Sequence, residues 1–277
     1  MNINKIHLIT FSPTKTSLRI GKAVAEGINA ERCIVSDLTH DESCAENLSD
    51  KDVAVIAMPV YGGHVAPLAM KRIEGLTGNN TPAVIIAVYG NRDYEMALHD
   101  MKDFCTKHGF RIIAAGTFIG EHSYSTSLTP IAVGRPNDSD IECAKDFGRR
   151  ICAKIEAAGS DADLQTIDIN SIERPEQDEE NVRIFKSTVA GWMKNGTIKP
   201  SLPVVDKDRC TQCGICIDLC PTGAISSDDA AIVSAELCIK CCACVKGCPE
   251  QARSLDTPFA KLLSQNFTKQ KENKTLI

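Results

Sequence analysis

Apolar runs of strand length alternate with amphipathic stretches over the first 158 residues of this chain. Residues 3–10 form one such run. In residues 16–28 apolar positions recur at three- and four-residue steps, the period of a helix with one buried face. Residues 32–38 predict a second strand. The run Asp-Val-Ala-Val-Ile-Ala-Met at 52–58 is apolar after its first residue, as a central parallel strand covered on both faces requires. A helix over 67–76, a buried strand over 83–88, a helix over 94–108, a fifth strand over 111–119 and a long amphipathic helix over 140–158 complete the alternation. Five strands alternating with helices, joined by right-handed crossovers, predict a doubly wound, five-stranded parallel sheet of the α/β class.

In such sheets ligands bind beyond the carboxyl ends of the strands, at the topological switch point. The loops after strands one, three and four therefore hold the candidate residues. The first, Phe11-Ser12-Pro13-Thr14-Lys15-Thr16-Ser17, opens directly onto a helix, and hydroxyls with backbone N–H groups at a helix N-terminus favour an anion. It lacks the glycines of a dinucleotide loop and of a nucleotide P-loop. An ordinary helix cap is the plain alternative.

The spacing Ser12-x-Thr14-x-x-Ser17 resembles the phosphate loop of the flavodoxin family, in which hydroxyls hold FMN. The likeness continues at Pro59-Val60-Tyr61-Gly62-Gly63-His64-Val65-Ala66-Pro67 and at Tyr89-Gly90-Asn91-Arg92-Asp93-Tyr94. The resemblance implies that Ser12, Thr14, Lys15, Thr16 and Ser17 hold the phosphate. It implies further that Pro59, Val60, Tyr61, Gly62, Gly63, Tyr89, Gly90, Asn91, Arg92 and Tyr94 clasp the flavin ring. A backbone amide of Gly62 or Gly63 would face flavin N5, Asn91 and Arg92 the pyrimidine end, and Tyr61 or Tyr94 would stack. Lys15 stands where the family usually carries Gly, and its ammonium offers the phosphate a counter-charge.

The C-terminal part carries a different signal. Cys210-x2-Cys213-x2-Cys216-x3-Cys220-Pro221 recurs as Cys238-x2-Cys241-x2-Cys244-x3-Cys248-Pro249. Zinc sites usually pair cysteines in separated knuckles, unlike two unbroken four-cysteine runs; a disulfide framework suits a secreted chain, and no signal peptide is recognised here. The run resembles the bacterial-type two-[4Fe-4S] ferredoxins over their whole length. That likeness implies crossed ligation: Cys210, Cys213, Cys216 and Cys248 for one cluster, and Cys238, Cys241, Cys244 and Cys220 for the other. Gly214 and Gly247 are expected to let the backbone approach the sulfides, and Cys242 is read as a non-ligand. Most of the remaining cysteines are read as small buried hydrophobes.

Together the two likenesses resemble the flavodoxin–ferredoxin fusion proteins of anaerobes. The expected organisation is a flavodoxin-like FMN domain at 1–158, a linker at 159–203, a small α+β two-cluster ferredoxin domain at 204–256 and a tail at 257–277. Within the linker, residues 182–193 have helical periodicity with Phe185 and Trp192 and are expected to pack between the domains. The mildly basic tail is read as a solvated helix or frayed end. The polar stretch 121–138 is too long for a plain connector. It covers the flavin, with His122 or Arg135 near the ring, contacts the ferredoxin module, or is a solvent-exposed insertion. His64 and His122 are candidate proton donors, with structural roles as the plain alternative.

A net charge of −5 argues against nucleic acid as the main partner. The ferredoxin segment is itself acidic, which suits a basic face on a redox partner protein. No membrane span and no signal peptide are recognised, so a cytoplasmic location is expected. The expected function is electron transfer between two [4Fe-4S] clusters and FMN, linking a low-potential donor to a redox partner. The alternative is an FMN-dependent reductase of a small molecule, with the ferredoxin domain as electron inlet and a substrate pocket shaped by residues 121–138. No nucleophile–base set is seen, and a homodimer is left open.

Overall fold

The computed structural model describes residues 3–160, 163–197 and 201–277. Residues 161–162 and 198–200 of the expected linker, and the first two of the N-terminal stretch, lie outside the described residues. The chain divides into two units, one comprising residues 1–121, 134–175 and 271–277, the other residues 122–133 and 176–270.

The first unit is built on β1 (Ile6–Thr10), β2 (Cys33–Asp37), β3 (Val53–Tyr61), β4 (Thr81–Tyr89) and β5 (Phe110–Ile119). These lie parallel in the order β2-β1-β3-β4-β5, the 2-1-3-4-5 order of flavodoxin-like sheets. Every residue of β4 is buried, as are the first seven of β3, so a continuous apolar run was the right signature for both. Helices α1 (Thr16–Asn29), α2 (Pro67–Ile73), α3 (Ala97–Lys107) and α4 (Asp138–Ala157) connect the strands or follow β5. Ile20, Val24 and Ile28 of α1 join Phe147, Ile151 and Ile155 of α4 in one core beneath the sheet.

One strand of this sheet was not expected. Residues 271–277 return to the first unit, where β6 (Lys274–Leu276) pairs antiparallel with β5. The tail, expected as a solvated helix or a frayed end, is a helix over Pro258–Asn266 with Ala260, Leu262 and Leu263 buried, followed by this edge strand. Its register follows from side-chain anchors: Asn273 Oδ1 accepts from the Ile119 amide at 3.0 Å, and Asn273 Nδ2 donates to Asp140 at 2.7 Å.

The second unit holds α5 (Glu179–Lys194), α6 (Ile215–Asp218), α7 (Ala243–Lys246) and α8 (Pro258–Asn266). Asp178 caps α5 by accepting from the Asn181 amide. The apolar face of α5, expected to lie between domains, packs on α8 within this unit through Phe185 against Phe267 and Trp192 against Phe259. Residues 122–133, carried on the loop after β5, also belong here. Ile131 lies in a small core with Leu263 and Phe267, and the Ser125 carbonyl accepts from Lys246 Nζ at 2.8 Å. The units are therefore not consecutive segments, unlike the ranges expected from sequence.

Candidate functional site

At the carboxyl end of β1 the backbone turns sharply into α1. Lys15 has φ of +63°, the left-handed region that a β-carbon disfavours and glycine fills readily. The residue expected to be Gly in the family pattern therefore takes a glycine's conformation. The Lys15 amide donates to the Ser12 carbonyl at 2.9 Å and closes the turn. Ser12 itself is buried, its Oγ accepting from the Leu18 amide at 3.0 Å and its amide donating to Thr39 Oγ1 at 2.8 Å. Thr39 Oγ1 in turn donates to Asp37 at 2.5 Å. Ser12 thus braces the loop, with Thr39 and Asp37 from the loop after β2 as supports that sequence patterning did not single out.

Thr14 and Thr16 are half-exposed and Lys15 is exposed. The Ser17 hydroxyl is fully buried and has no hydrogen-bond partner, which costs free energy unless an acceptor or donor meets it. An orphaned hydroxyl at the positive end of a 14-residue helix suits an anion such as a phosphate. Gly120, just after β5, approaches this loop so closely that a β-carbon there would lie 3.3 Å from Thr16 Cβ.

Beyond β3 the chain makes a tight hairpin in which Tyr61 pairs with His64 and Val60 with Val65. Gly62 and Gly63 both have positive φ, as the central residues of such a turn require. Gly62 faces open space, while a β-carbon on Gly63 would run into Glu95. The Gly63 carbonyl accepts from the Met96 amide at 2.7 Å. His64 lies 3.1 Å from Asp100, whose carboxylate also accepts from the Val65 amide. That arrangement pins the hairpin to α3.

The loop after β4 is more occupied than sequence suggested. Asn91 is buried with φ of +66°, and its Oδ1 accepts from the Lys271 amide at 3.0 Å. Arg92 pairs with Glu95 at 2.5 Å. Tyr94 is only 1% exposed; Arg174 lies 4.7 Å over its ring and Tyr89 meets it edge-on at 5.8 Å. A ring so covered does not stack on a ligand, which leaves half-buried Tyr61 as the aromatic candidate. Arg135 and Asp140 form a buried ion pair in the first unit. Burial alone would raise the Asp140 carboxyl, but hydrogen bonds from Arg135, the Asn137 amide and Asn273 hold it below the usual range.

In the second unit the two cysteine runs superpose as a repeat. Gln212 and Lys240, Gly214 and Cys242, and Gly223 and Gln251 are matched pairs, and all six have positive φ. The Ala224 amide donates to Cys220 Sγ at 3.2 Å, and the Ala252 amide to Cys248 Sγ at 3.3 Å. Val205 pairs with Arg253 as Val233 pairs with Ile225. Gly247, expected to admit the backbone to sulfide, has an ordinary helical φ instead. Its missing side chain leaves room for Leu219, which a β-carbon would strike.

Two cavities separate the cysteines into sets. Cys210, Cys213, Cys216 and Cys248 border one with about 350 Å³ of empty space. Cys220, Cys238, Cys241 and Cys244 border the other, of about 340 Å³, and Cys242 is also on its wall. No three His, Cys, Asp or Glu among the described residues are spaced to hold a single metal ion; the sulfurs surround a volume instead. This is the donor set a cubane needs. Burial pushes the Cys241 thiol up to about 12 and the Cys244 thiol to about 11. Cys220 behaves differently. Burial would raise its thiol, but hydrogen bonds from Thr222, Ala224 and Ile225 bring it below the ordinary value.

Of the roles expected for the polar stretch, contact with the ferredoxin segment is present, since residues 122–133 pack within the second unit. Burial pushes the Tyr124 hydroxyl there up to about 12, with Cys242, Cys238 and Cys241 adding to the shift.

Residues 203–226 match the 4Fe-4S binding domain family, so a [4Fe-4S] domain is present in this chain. No curated protein matches the sequence. Among solved structures the chain is similar to rubredoxin oxygen:oxidoreductase from the anaerobe Desulfovibrio gigas, at 14% identity and a TM-score of 0.40. That likeness covers 56% of this chain but only 37% of the other. It is also similar to the Streptococcus pneumonia TIGR4 flavodoxin, at 15% identity, 54% and 98% coverage and a TM-score of 0.38. A flavodoxin from the domain Archaea gives 10%, 55% and 99%, and 0.34. The fold of the first unit rests on its own strand order.

Proposed function

We propose that this protein carries electrons between two [4Fe-4S] clusters and FMN, linking a low-potential donor to a redox partner protein in the cytoplasm. The observation that carries the reading is that the eight cysteines of the two runs line two cavities four and four, with Cys248 and Cys220 each on the other run's cavity. When bound, the clusters exchange single electrons and FMN one or two, so one chain holding both converts between the two modes.

The residues supply the rest. The eight cysteines hold iron, and amides of Ala224 and Ala252 hydrogen-bond the sulfurs of Cys220 and Cys248. Ser17, Thr14, Thr16, Lys15 and the first-turn amides of α1 hold the phosphate, with Ser12 keeping the loop in shape. Gly62 and Tyr61 meet the flavin ring, while buried Asn91 anchors the loop after β4 to the Lys271 amide.

Anaerobically purified protein is expected to carry about eight iron per chain as two cubanes, together with FMN near one per chain. Stopped-flow reduction should show the clusters and the flavin changing together in one molecule. A preparation with zinc in place of iron, or one that binds no flavin, overturns the reading.

A further inference from the structure

The two halves of the cysteine repeat differ at one buried position. Ile225 follows Cys220 at the spacing where Arg253 follows Cys248. Ile225 lines the cavity of Cys220, Cys238, Cys241 and Cys244; Arg253 lines that of Cys210, Cys213, Cys216 and Cys248. Arg253 is 5% exposed. Its Nη1 donates to Cys216 Sγ at 3.1 Å and to the Ala230 carbonyl at 2.8 Å. Its Nε and Nη2 are buried with no hydrogen-bond partner. A buried guanidinium with two unsatisfied donors is costly unless a negative group faces it.

Exposure divides the two sites in the same direction. Cys213 is exposed and Cys210, Cys216 and Cys248 are half-buried, whereas at the other site Cys220 and Cys238 are half-buried and Cys241 and Cys244 are buried. The walls of the second cavity are largely apolar, with Ile225, Val233, Ile239, Pro203 and Pro221, and Lys240 and Thr222 are its polar side chains; Glu250 lines the first cavity beside Arg253, whose guanidinium, unlike Lys240, donates to a ligand sulfur.

Resting on the two-cluster reading, we infer that Arg253 makes the Cys210/Cys213/Cys216/Cys248 site the higher-potential of the two, the place where the first electron settles. Each one-electron reduction adds one negative charge to a site, the electron coming from the low-potential donor. A fixed positive charge, a hydrogen bond to a ligand sulfur and access to water all favour that added charge. All three act at the Arg253 site, and none of Ile225's atoms does the same at the other. Arg253 is a tuning residue rather than a ligand.

The test is a potentiometric titration of the anaerobic full-length protein with dithionite, followed by electron paramagnetic resonance, with iron counted in each sample. Wild type should show two separated midpoints. Arg253→Gln should weaken reduction at the higher one by about tenfold or more, a downward shift of about 59 mV per decade for one electron, and move the lower one less. Arg253→Lys, which keeps the charge, should retain most of the wild-type value. Ile225→Arg should raise the lower midpoint. Full iron content with coincident wild-type midpoints, or with no change in Arg253→Gln, overturns the inference. Half the iron in wild type would instead refute the two-cluster reading itself. If Arg253→Gln loses iron, the Arg253→Lys and Ile225→Arg midpoints decide the matter alone.

Discussion

The side-chain oxygen of Asn91 accepts a hydrogen bond from the backbone amide of Lys271, 3.0 Å away. Both residues are buried, so the loop after β4 is held by the last residues of the chain. Asn91→Ala removes the acceptor, strands a buried N–H and leaves alanine at positive φ. The expected loss is about 2–3 kcal/mol, measured by urea unfolding of the first unit with iron content unchanged. Asn91→Gly relieves the backbone but not the amide, and should fall between wild type and alanine.

Lys15 separates conformation from charge. Lys15→Gly should stabilise the protein by about 1 kcal/mol, because glycine occupies φ near +63° without the β-carbon penalty; Lys15→Ala should not. Both remove the ammonium, and calorimetric titration should show both binding FMN more weakly. Unchanged affinity in both would mean that Lys15 acts through backbone shape alone.

Cys242 lies on a cavity wall but, with φ of +62°, takes the place Gly214 holds in the other run. Cys242→Ser should keep the full iron content, whereas Cys241→Ser should lose a cluster's share. Iron quantification with visible absorbance distinguishes the two.

Asp140 is a source of acid sensitivity. Its carboxyl is held low in the folded state, so its stabilising effect is present above the unfolded value of about 3.9 and is lost as pH falls through the folded one. Asp140→Asn should flatten that part of the stability profile below about pH 4. At neutral pH it should cost about 3 kcal/mol by leaving Arg135 buried and unpaired. Urea midpoints across the acid range provide the measurement.

The hairpin glycines should respond unequally. Gly62→Ala meets open space and bears only the positive-φ penalty of about 1 kcal/mol. Gly63→Ala adds a clash with Glu95, whose side chain pairs with Arg92, so its melting temperature should fall further.

Much of this molecule was legible along the chain because its signals are local. Apolar runs marked β3 and β4, helical periodicity marked α1 and α4, and cysteine spacing marked the segment that matches a 4Fe-4S binding domain. The breaks in the repeat were legible too: comparing Ile225 with Arg253 needs only the two halves of the sequence. What stayed hidden depends on contacts between distant residues. Nothing in the tail announces that Lys274–Leu276 adds a strand to β5, since a three-residue strand has no periodicity to read. Tyr94 reads like any exposed loop aromatic until Arg174 is folded over its ring. Residues 122–133 are continuous with the first unit in sequence, yet Ile131 finds its apolar partners in the second. Local chemistry, set by residue type and spacing, marked the sheet and the candidate ligands. Which donors remain unpaired, which rings stay open and which thiols are buried depended on the three-dimensional neighbours that bring or exclude water, and only folding assembles those.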